Sequence, residues 1–188
     1  MRAVFFEPMQ QLFFVALILP EKLQAAINVF KEDIHQRFGT KAALKVMPHI
    51  TLFPPFSFAA ENNQQLAGAL KQAAQASAVF SVHLQHFNCF PPRTVFVAVE
   101  ENRQLRMLEK ATVAVFSDPE GISAKKDNRP FHPHVTIANR DWTPDLFSKA
   151  WEEYREKKFD AVFTAETISL LQLEEGKWRI VAEEKLSG

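Results

Sequence analysis

The sequence predicts an α+β fold built from two duplicated strand-helix-strand-helix-strand units. A pseudo-twofold axis relates them, and their motif strands face a central cleft. Three echoes carry this prediction. Pro48-His49-Ile50-Thr51-Leu52 returns as Pro133-His134-Val135-Thr136-Ile137, 85 residues later. Phe14-Val15-Ala16 returns as Phe96-Val97-Ala98 at an offset of 82, and each triplet opens a strand-to-helix passage. Ala78-Val79-Phe80-Ser81 returns as Ala161-Val162-Phe163-Thr164 at an offset of 83. Three echoes in one order at a nearly constant offset mark an internal duplication, with the small length differences absorbed in loops.

The elements follow from periodicity. Leu12–Leu19 is a continuous apolar run and reads as the first strand. Glu21–Phe38 places Leu23, Ala26, Ile27, Phe30, Ile34 and Phe38 at helical spacing, and Gly39 ends it. Ala43–Phe53 reads as the first motif strand. A helix over Glu61–Ala76 turns Leu66 and Leu70 inward, and Val79–Phe90 is a strand. The second unit repeats the order. Thr94–Glu100 is a strand, and Asn102–Phe116 is a helix with Leu105, Leu108, Val113 and Phe116 on or near one face. His132–Asn139 is the second motif strand, Asp145–Lys158 a helix and Ala161–Leu173 strand-like. The chain then turns at Gly176 and returns as a closing strand over 177–185. The repeats span about 12–90 and 94–173. No Gly/Ser-rich linker divides them, so residues 1–188 read as a single bilobal domain.

Composition sets limits. The 188 residues suffice to bury a core, and 22 basic residues balance 22 acidic ones. A protein that coats long nucleic acid carries a basic excess. Balance argues against that role, but not against a nucleotide or a short RNA end. The lone Cys89 excludes an intrachain disulfide and suits a reducing cytoplasm, the expected location. Cys89 itself reads as a small buried hydrophobe rather than a nucleophile. The apolar N-terminal segment is interrupted by Glu7, Pro8, Gln10 and Gln11 and reads as a buried first strand, not a signal peptide. No stretch approaches the ~20 apolar residues of a membrane span.

The repeated pentapeptide carries the chemistry. Side chains at i and i+2 of a strand share a face. His49 and Thr51 therefore share one face, as do His134 and Thr136, while the aliphatic residues between them pin each strand to the core. Chance gives two such Pro-His-x-Thr pairs in roughly one shuffled chain in ten thousand. Two imidazoles and two hydroxyls converging from opposite sides suit phosphodiester cleavage. A neutral His takes a proton from the attacking oxygen, and a protonated His gives one to the leaving oxygen. An ordinary pKa of ~6.5 lets both forms coexist. The Thr hydroxyls donate to phosphate oxygens as charge builds up. This chemistry needs neither metal nor other cofactor.

These two motifs resemble the paired H-x-T-x signature of the two-histidine (2H) phosphoesterase superfamily, which includes bacterial 2′-5′ RNA ligases and cyclic phosphodiesterases. The resemblance covers nearly the whole chain. It implies His49 and His134 as the acid/base pair and Thr51 and Thr136 as phosphate binders. It implies as substrate a nucleotide or short RNA end carrying a 2′,3′-cyclic phosphate or a 2′-5′ linkage. Residues 53–56, Phe-Pro-Pro-Phe, depart from the commoner continuation, and Arg140 follows the second motif farther away than the basic residue of some members.

Other candidates carry less. Arg93 at the start of the mid-chain strand is placed to enter the cleft. Phe96 is placed to stack a base, although with 18 Phe in the chain any one of them serves the core first. Arg140 is a third candidate substrate contact. His132 lies two residues before His134, but no Cys or carboxylate cluster completes a metal site there. His83 and His86, three apart on a strand, should point to opposite faces and read as surface or edge residues, and His35 should be solvated. Lys125, Lys126 and Arg129 form a basic loop before the second motif, either simply solvated or an entrance for phosphate. A second reading of the whole is a non-catalytic module that binds a nucleotide or RNA end in the same cleft. Catalysis by one neutral and one protonated His predicts a bell-shaped pH profile near neutrality, whereas phosphate binding alone weakens monotonically as His deprotonates.

Overall fold

Strand β1 (Gln10–Ile18) is apolar on both faces because it lies inside a sheet rather than at its edge. The structure, a computed structural model, describes residues 10–59 and 62–187, so the segment 1–9 and Glu61 lie outside the described residues. Pro20 leads into helix α1 (Glu21–Phe38), and Gly39 ends it with φ 77°, a left-handed conformation that glycine adopts without strain. A 3-10 turn (Ala42–Lys45) precedes β2 (His49–Ala59). Helix α2 (Asn63–Gln75), β3 (Phe80–Phe90), β4 (Thr94–Val99) and α3 (Arg103–Phe116) follow. Then come β5 (His134–Asn139), α4 (Pro144–Tyr154), β6 (Asp160–Ala165), β7 (Thr167–Glu174) and β8 (Lys177–Lys185). Glu175 and Gly176, with φ 49° and 77°, make the two-residue turn between β7 and β8.

Two antiparallel four-stranded sheets result, in the orders β2-β1-β7-β8 and β5-β4-β3-β6. Each repeat contributes a strand to the other's sheet. β3, from the first repeat, pairs with β4, and β7, from the second, pairs with β1. Neither repeat therefore closes a sheet alone. The third echo also acquires a geometric meaning. Ser81 stands directly opposite Thr164, with Phe80 opposite Ala165 and Val82 opposite Phe163. The echoed segments are thus neighbours within one sheet, whereas the matching sheet orders make β7, not β6, the counterpart of β3, so the third echo does not join equivalent strands of the duplication.

Three elements differ from the sequence expectation. Ala43–Phe53 is not one strand: a 3-10 turn occupies its first part, and β2 runs on through Pro54 and Pro55 to Ala59. An edge strand tolerates proline because one row of its N–H groups needs no partner, and β2 is an edge. Ala161–Leu173 is two strands in different sheets, broken at Glu166. α4 stops at Tyr154; its start is fixed by Pro144 in the first turn and by the Thr143 hydroxyl, which accepts from Leu146 N. In α3 the buried position is Thr112 rather than Val113, and its hydroxyl donates back to Leu108 O at 2.8 Å.

His83 and His86 do not take opposite faces. A bulge at His86 (φ 54°) shifts the register, so Val82, Leu84 and Phe87 are the buried positions and both histidines lie outside the core. His83 bridges Glu100 and Asp160 at 2.6 and 3.1 Å. His35 is half-buried, with Nδ1 against Thr40 O at 3.1 Å. Cys89 is half-buried against the core.

Candidate active site

Alternation along β2 and β5 places the motif side chains as expected. Ile50, Leu52, Val135 and Ile137 are buried, while His49, Thr51, His134 and Thr136 are half-buried on the other face. β2 and β5 belong to different sheets, yet they lie in contact. The two motifs thus approach each other, and the charge on His134 is felt at His49.

The two imidazoles are held alike. His49 Nδ1 lies 2.8 Å from Met47 O, and His134 Nδ1 lies 2.7 Å from His132 O. A carbonyl oxygen only accepts, so Nδ1 carries the proton and donates it. Nε2 of each ring is left to accept or deliver a proton at the reaction centre. Each ring also rests on a phenylalanine from the neighbouring strand, Phe14 at 5.0 Å from His49 and Phe96 at 4.9 Å from His134.

Burial pushes the His49 pKa down to about 4, and the positive charges of Lys31 and His134 act in the same direction, against the Met47 hydrogen bond. The His134 pKa is also lowered, first by burial and then by His132 and Arg129, against the His132 carbonyl. Both rings are therefore neutral in the free protein at neutral pH, and an anionic phosphate between them would raise the proton affinity of either.

Four residues of the site escaped the sequence reading. Lys31 is only 2% exposed, and its ammonium donates to Ala43 O (3.1 Å) and Val46 O (2.9 Å), just ahead of His49. The signal was present, because Lys31 falls between Ile27 and Ile34 on the apolar stripe of α1. Asp141, just past β5, accepts from the backbone N–H of Lys41 (2.6 Å) and Ala42 (2.9 Å) and from the Thr40 hydroxyl. The segment entering β2 is thus tied both to α1 and to the exit of β5. Phe90, 36% exposed, meets His134 edge-on at 5.1 Å. Trp178 meets Phe14 edge-on at 4.6 Å.

Three expected substrate contacts are not where the sequence placed them. Phe96 is 0% exposed beneath His134 and offers no free face to a base; Phe90 is the phenylalanine of that cluster that reaches solvent, beside the exposed His132. Arg93 and Arg140 are exposed and meet each other through the backbone, Arg140 N donating to Arg93 O at 2.9 Å. They stand at the far end of the β4–β5 ladder, six residues from His134, on the order of 20 Å along the strand. Arg129 of the basic loop pairs with Asp127. Among the described residues no cluster of three His, Cys, Asp or Glu side chains forms a metal site.

Two cavities flank the entrance to β2. One, of about 450 Å³, lies between Leu44–Met47 and Lys177–Ile180. The other, of about 900 Å³, lies between Ile18–Gln24 and Ala161–Thr167 and shares Met47 and Ile180 with the first. No helix among the described residues is long and apolar enough to cross a membrane.

Two antiparallel sheets thus bring two His-x-Thr strands into contact. The chain belongs to the 2′-5′ RNA ligase superfamily, whose model matches residues 19–177. It is 27% identical over 173 residues to a protein named "Putative phosphoesterase GK0864" from Geobacillus kaustophilus, covering 88% of this chain and 91% of that one. Among solved structures, Escherichia coli LigT complexed with NADP+ superposes with a TM-score of 0.68 at 21% identity, covering 96% of this chain and all of that one (100%). TT0787 of Thermus thermophilus gives a TM-score of 0.66 at 22% identity, covering 95% of this chain and 98% of that one.

Proposed function

We propose that the chain is a phosphodiesterase acting on RNA or nucleotide 2′,3′-cyclic phosphates or 2′-5′ linkages by two-histidine general acid/base catalysis. One observation carries this reading: both motif histidines donate Nδ1–H to a backbone carbonyl and so keep Nε2 for proton transfer. For a cyclic phosphate, water attacks phosphorus as one neutral Nε2 takes its proton. The P–O3′ bond breaks, and the other Nε2–H gives its proton to O3′, leaving a 2′-phosphate. Thr51 and Thr136 donate to the non-bridging oxygens. We assign His49 as the base, since its pKa of about 4 keeps it unprotonated, and His134 as the acid. Nucleotide binding is compatible with this reading, because LigT has been solved with 3′-AMP and with ATP. Phe90 is the ring placed to stack the base.

The test is hydrolysis of each nucleoside 2′,3′-cyclic phosphate in the presence of EDTA, with His49→Ala and His134→Ala alongside. Each variant should lose roughly 10² to 10⁴-fold in rate. Loss of roughly 10 to 10²-fold is expected for Thr51→Val or Thr136→Val. Turnover that survives both histidine substitutions would sink the mechanism.

A further inference from the structure

The two motif copies differ two residues before the histidine. Met47-Pro48-His49 in the first corresponds to His132-Pro133-His134 in the second. The main chain does the same work in both, since the carbonyls of Met47 and His132 each accept the Nδ1–H of the histidine that follows. That work needs no particular side chain. Met47 lines the two cavities. His132 is exposed, with its ring centre 6.4 Å from that of His134. An exposed histidine ordinarily samples several rotamers, but this one is braced. Its ring meets Phe90 edge-on at 5.0 Å and Phe96 at 5.7 Å, and the proline after it restricts His132 to extended backbone. Among the described residues, neither of its ring nitrogens has a hydrogen-bond partner; only its carbonyl is engaged.

The charge balance of the site gives this ring a role. Burial keeps His49 and His134 neutral in the free protein, yet hydrolysis turns a phosphate of one negative charge into a monoester of nearly two. The charges felt at His134 are those of His132 and Arg129. Arg129 is already held by Asp127, with Nε 2.9 Å from Oδ2. Lys31, felt at His49, is 2% exposed and commits its ammonium to the Ala43 and Val46 carbonyls. Of these groups, His132 alone is free to bring a positive charge to the phosphate. Two imidazoles 6.4 Å apart can hold one phosphate between them, each through an N–H···O bond of about 2.8 Å.

We propose that His132 is a third phosphate-binding histidine: its ring donates to a non-bridging oxygen of the phosphate held between His49 and His134. The inference rests on the phosphodiesterase reading. Each repeat supplies one acid/base histidine, and the second repeat alone supplies the additional imidazole. The duplicated site is therefore unequal, with the group that neutralises the growing phosphate charge on the His134 side.

The experiment compares the wild type with His132→Met and His132→Gln. Methionine is the residue of the first copy, and either substitution keeps the carbonyl that orients His134; glutamine also keeps a side-chain N–H donor. For uridine 2′,3′-cyclic phosphate, kcat/KM should fall roughly 10-fold or more in His132→Met, and inhibition by the product uridine 2′-phosphate should weaken by a similar factor. His132→Gln should recover part of both. The alkaline limb of the kcat/KM profile should also move up in His132→Met, because one positive charge that opposes protonation of His134 is gone while Arg129 and the facing His49 are unchanged. Unchanged kcat/KM and product inhibition in His132→Met overturn the proposal. Equal losses in both variants with no shift of the limb also overturn it, since the ring would then only pack against Phe90. If the wild type does not turn the compound over, the phosphodiesterase reading fails instead. His132 is then decided by calorimetric titration with uridine 2′-phosphate: weaker binding to His132→Met than to the wild type supports the contact, and equal binding, or none to either, overturns it.

Discussion

The ring of Phe96 meets the ring of His134 at 4.9 Å and 53°, and the ring of Phe14 meets His49 at 5.0 Å and 52°. These are one device used twice. Each phenylalanine opens the Phe-Val-Ala echo and lies on the strand beside its motif strand. With Nδ1 held by a carbonyl and one side held by a phenyl ring, each imidazole keeps a single orientation.

Phe14→Leu and Phe96→Leu should therefore act on catalysis through orientation. Leucine keeps most of the apolar volume at a stability cost of about 1–2 kcal/mol but gives up the tilted ring contact. We expect kcat to fall about 10-fold, with a smaller change in KM, because slight misplacement of a catalytic group is costly. Steady-state kinetics beside thermal unfolding separates the effects. A lowered Tm with unchanged kcat would mean that the rings only fill space.

The pH profile should sit on the acid side of neutrality. The base must be neutral, which holds above its pKa of about 4. The acid must be protonated, which holds only below a His134 pKa that lies under the ordinary value. For the free enzyme the bell in kcat/KM should thus peak between about 4 and 6.5, displaced from the near-neutral bell that unperturbed histidines predict. Residual activity of His134→Ala should lose the alkaline limb and keep the acid limb. Loss of the acid limb instead would reverse the assignment of acid and base.

Much of this was legible in the sequence, and the failures have identifiable physical causes. Local alternation fixes which face His49 and Thr51 share, so the shared faces of both His-Thr pairs were legible from spacing alone. The exchange of β3 and β7 between sheets was not legible, because strand pairing between distant segments leaves no local trace. Nor was the break at Glu166, since Ala161–Leu173 reads as one apolar run whichever sheet its parts join. Phe96 was misread because an apolar ring on a central strand looks the same in sequence whether buried or in a cleft. Lys31 escaped notice because a lysine on an apolar stripe counts as an exception until its carbonyl partners are seen.

Lys31 should write its own signature into the stability curve. Burial lowers its pKa to about 8, against ~10.4 in the unfolded chain. Between these values the unfolded chain holds more protons than the folded one, so stability rises with pH across that window. The gain should be on the order of 2–3 kcal/mol. Lys31→Met should flatten the rise. It should also move the acid limb of the kcat/KM profile upward, since a positive charge that depresses His49 is gone. Urea unfolding at pH 8 and pH 10.5 tests the first effect; an equal rise in both proteins would refute it.

Asp141 is the tie between the two motifs, and its loss should be felt at both. Burial works to raise its pKa, but hydrogen bonds from the Thr40 hydroxyl and the Lys41 and Ala42 amides outweigh burial and hold it below the usual carboxylate range. A depressed carboxylate contributes stability above its unfolded pKa of ~3.9 and loses it as pH falls through the folded value. Asp141→Ala removes these bonds and leaves the two amides and the buried Thr40 without their acceptor, at a cost of about 1–3 kcal/mol at neutral pH. Because the freed segment runs directly into Met47 and His49, kcat should fall as well, whereas a surface variant of equal instability should leave kcat intact. Asp141→Asn, which keeps one acceptor oxygen, should recover part of both losses. Equal stability and activity in the alanine variant and the wild type would show that the 3-10 turn holds its place through Lys31 alone.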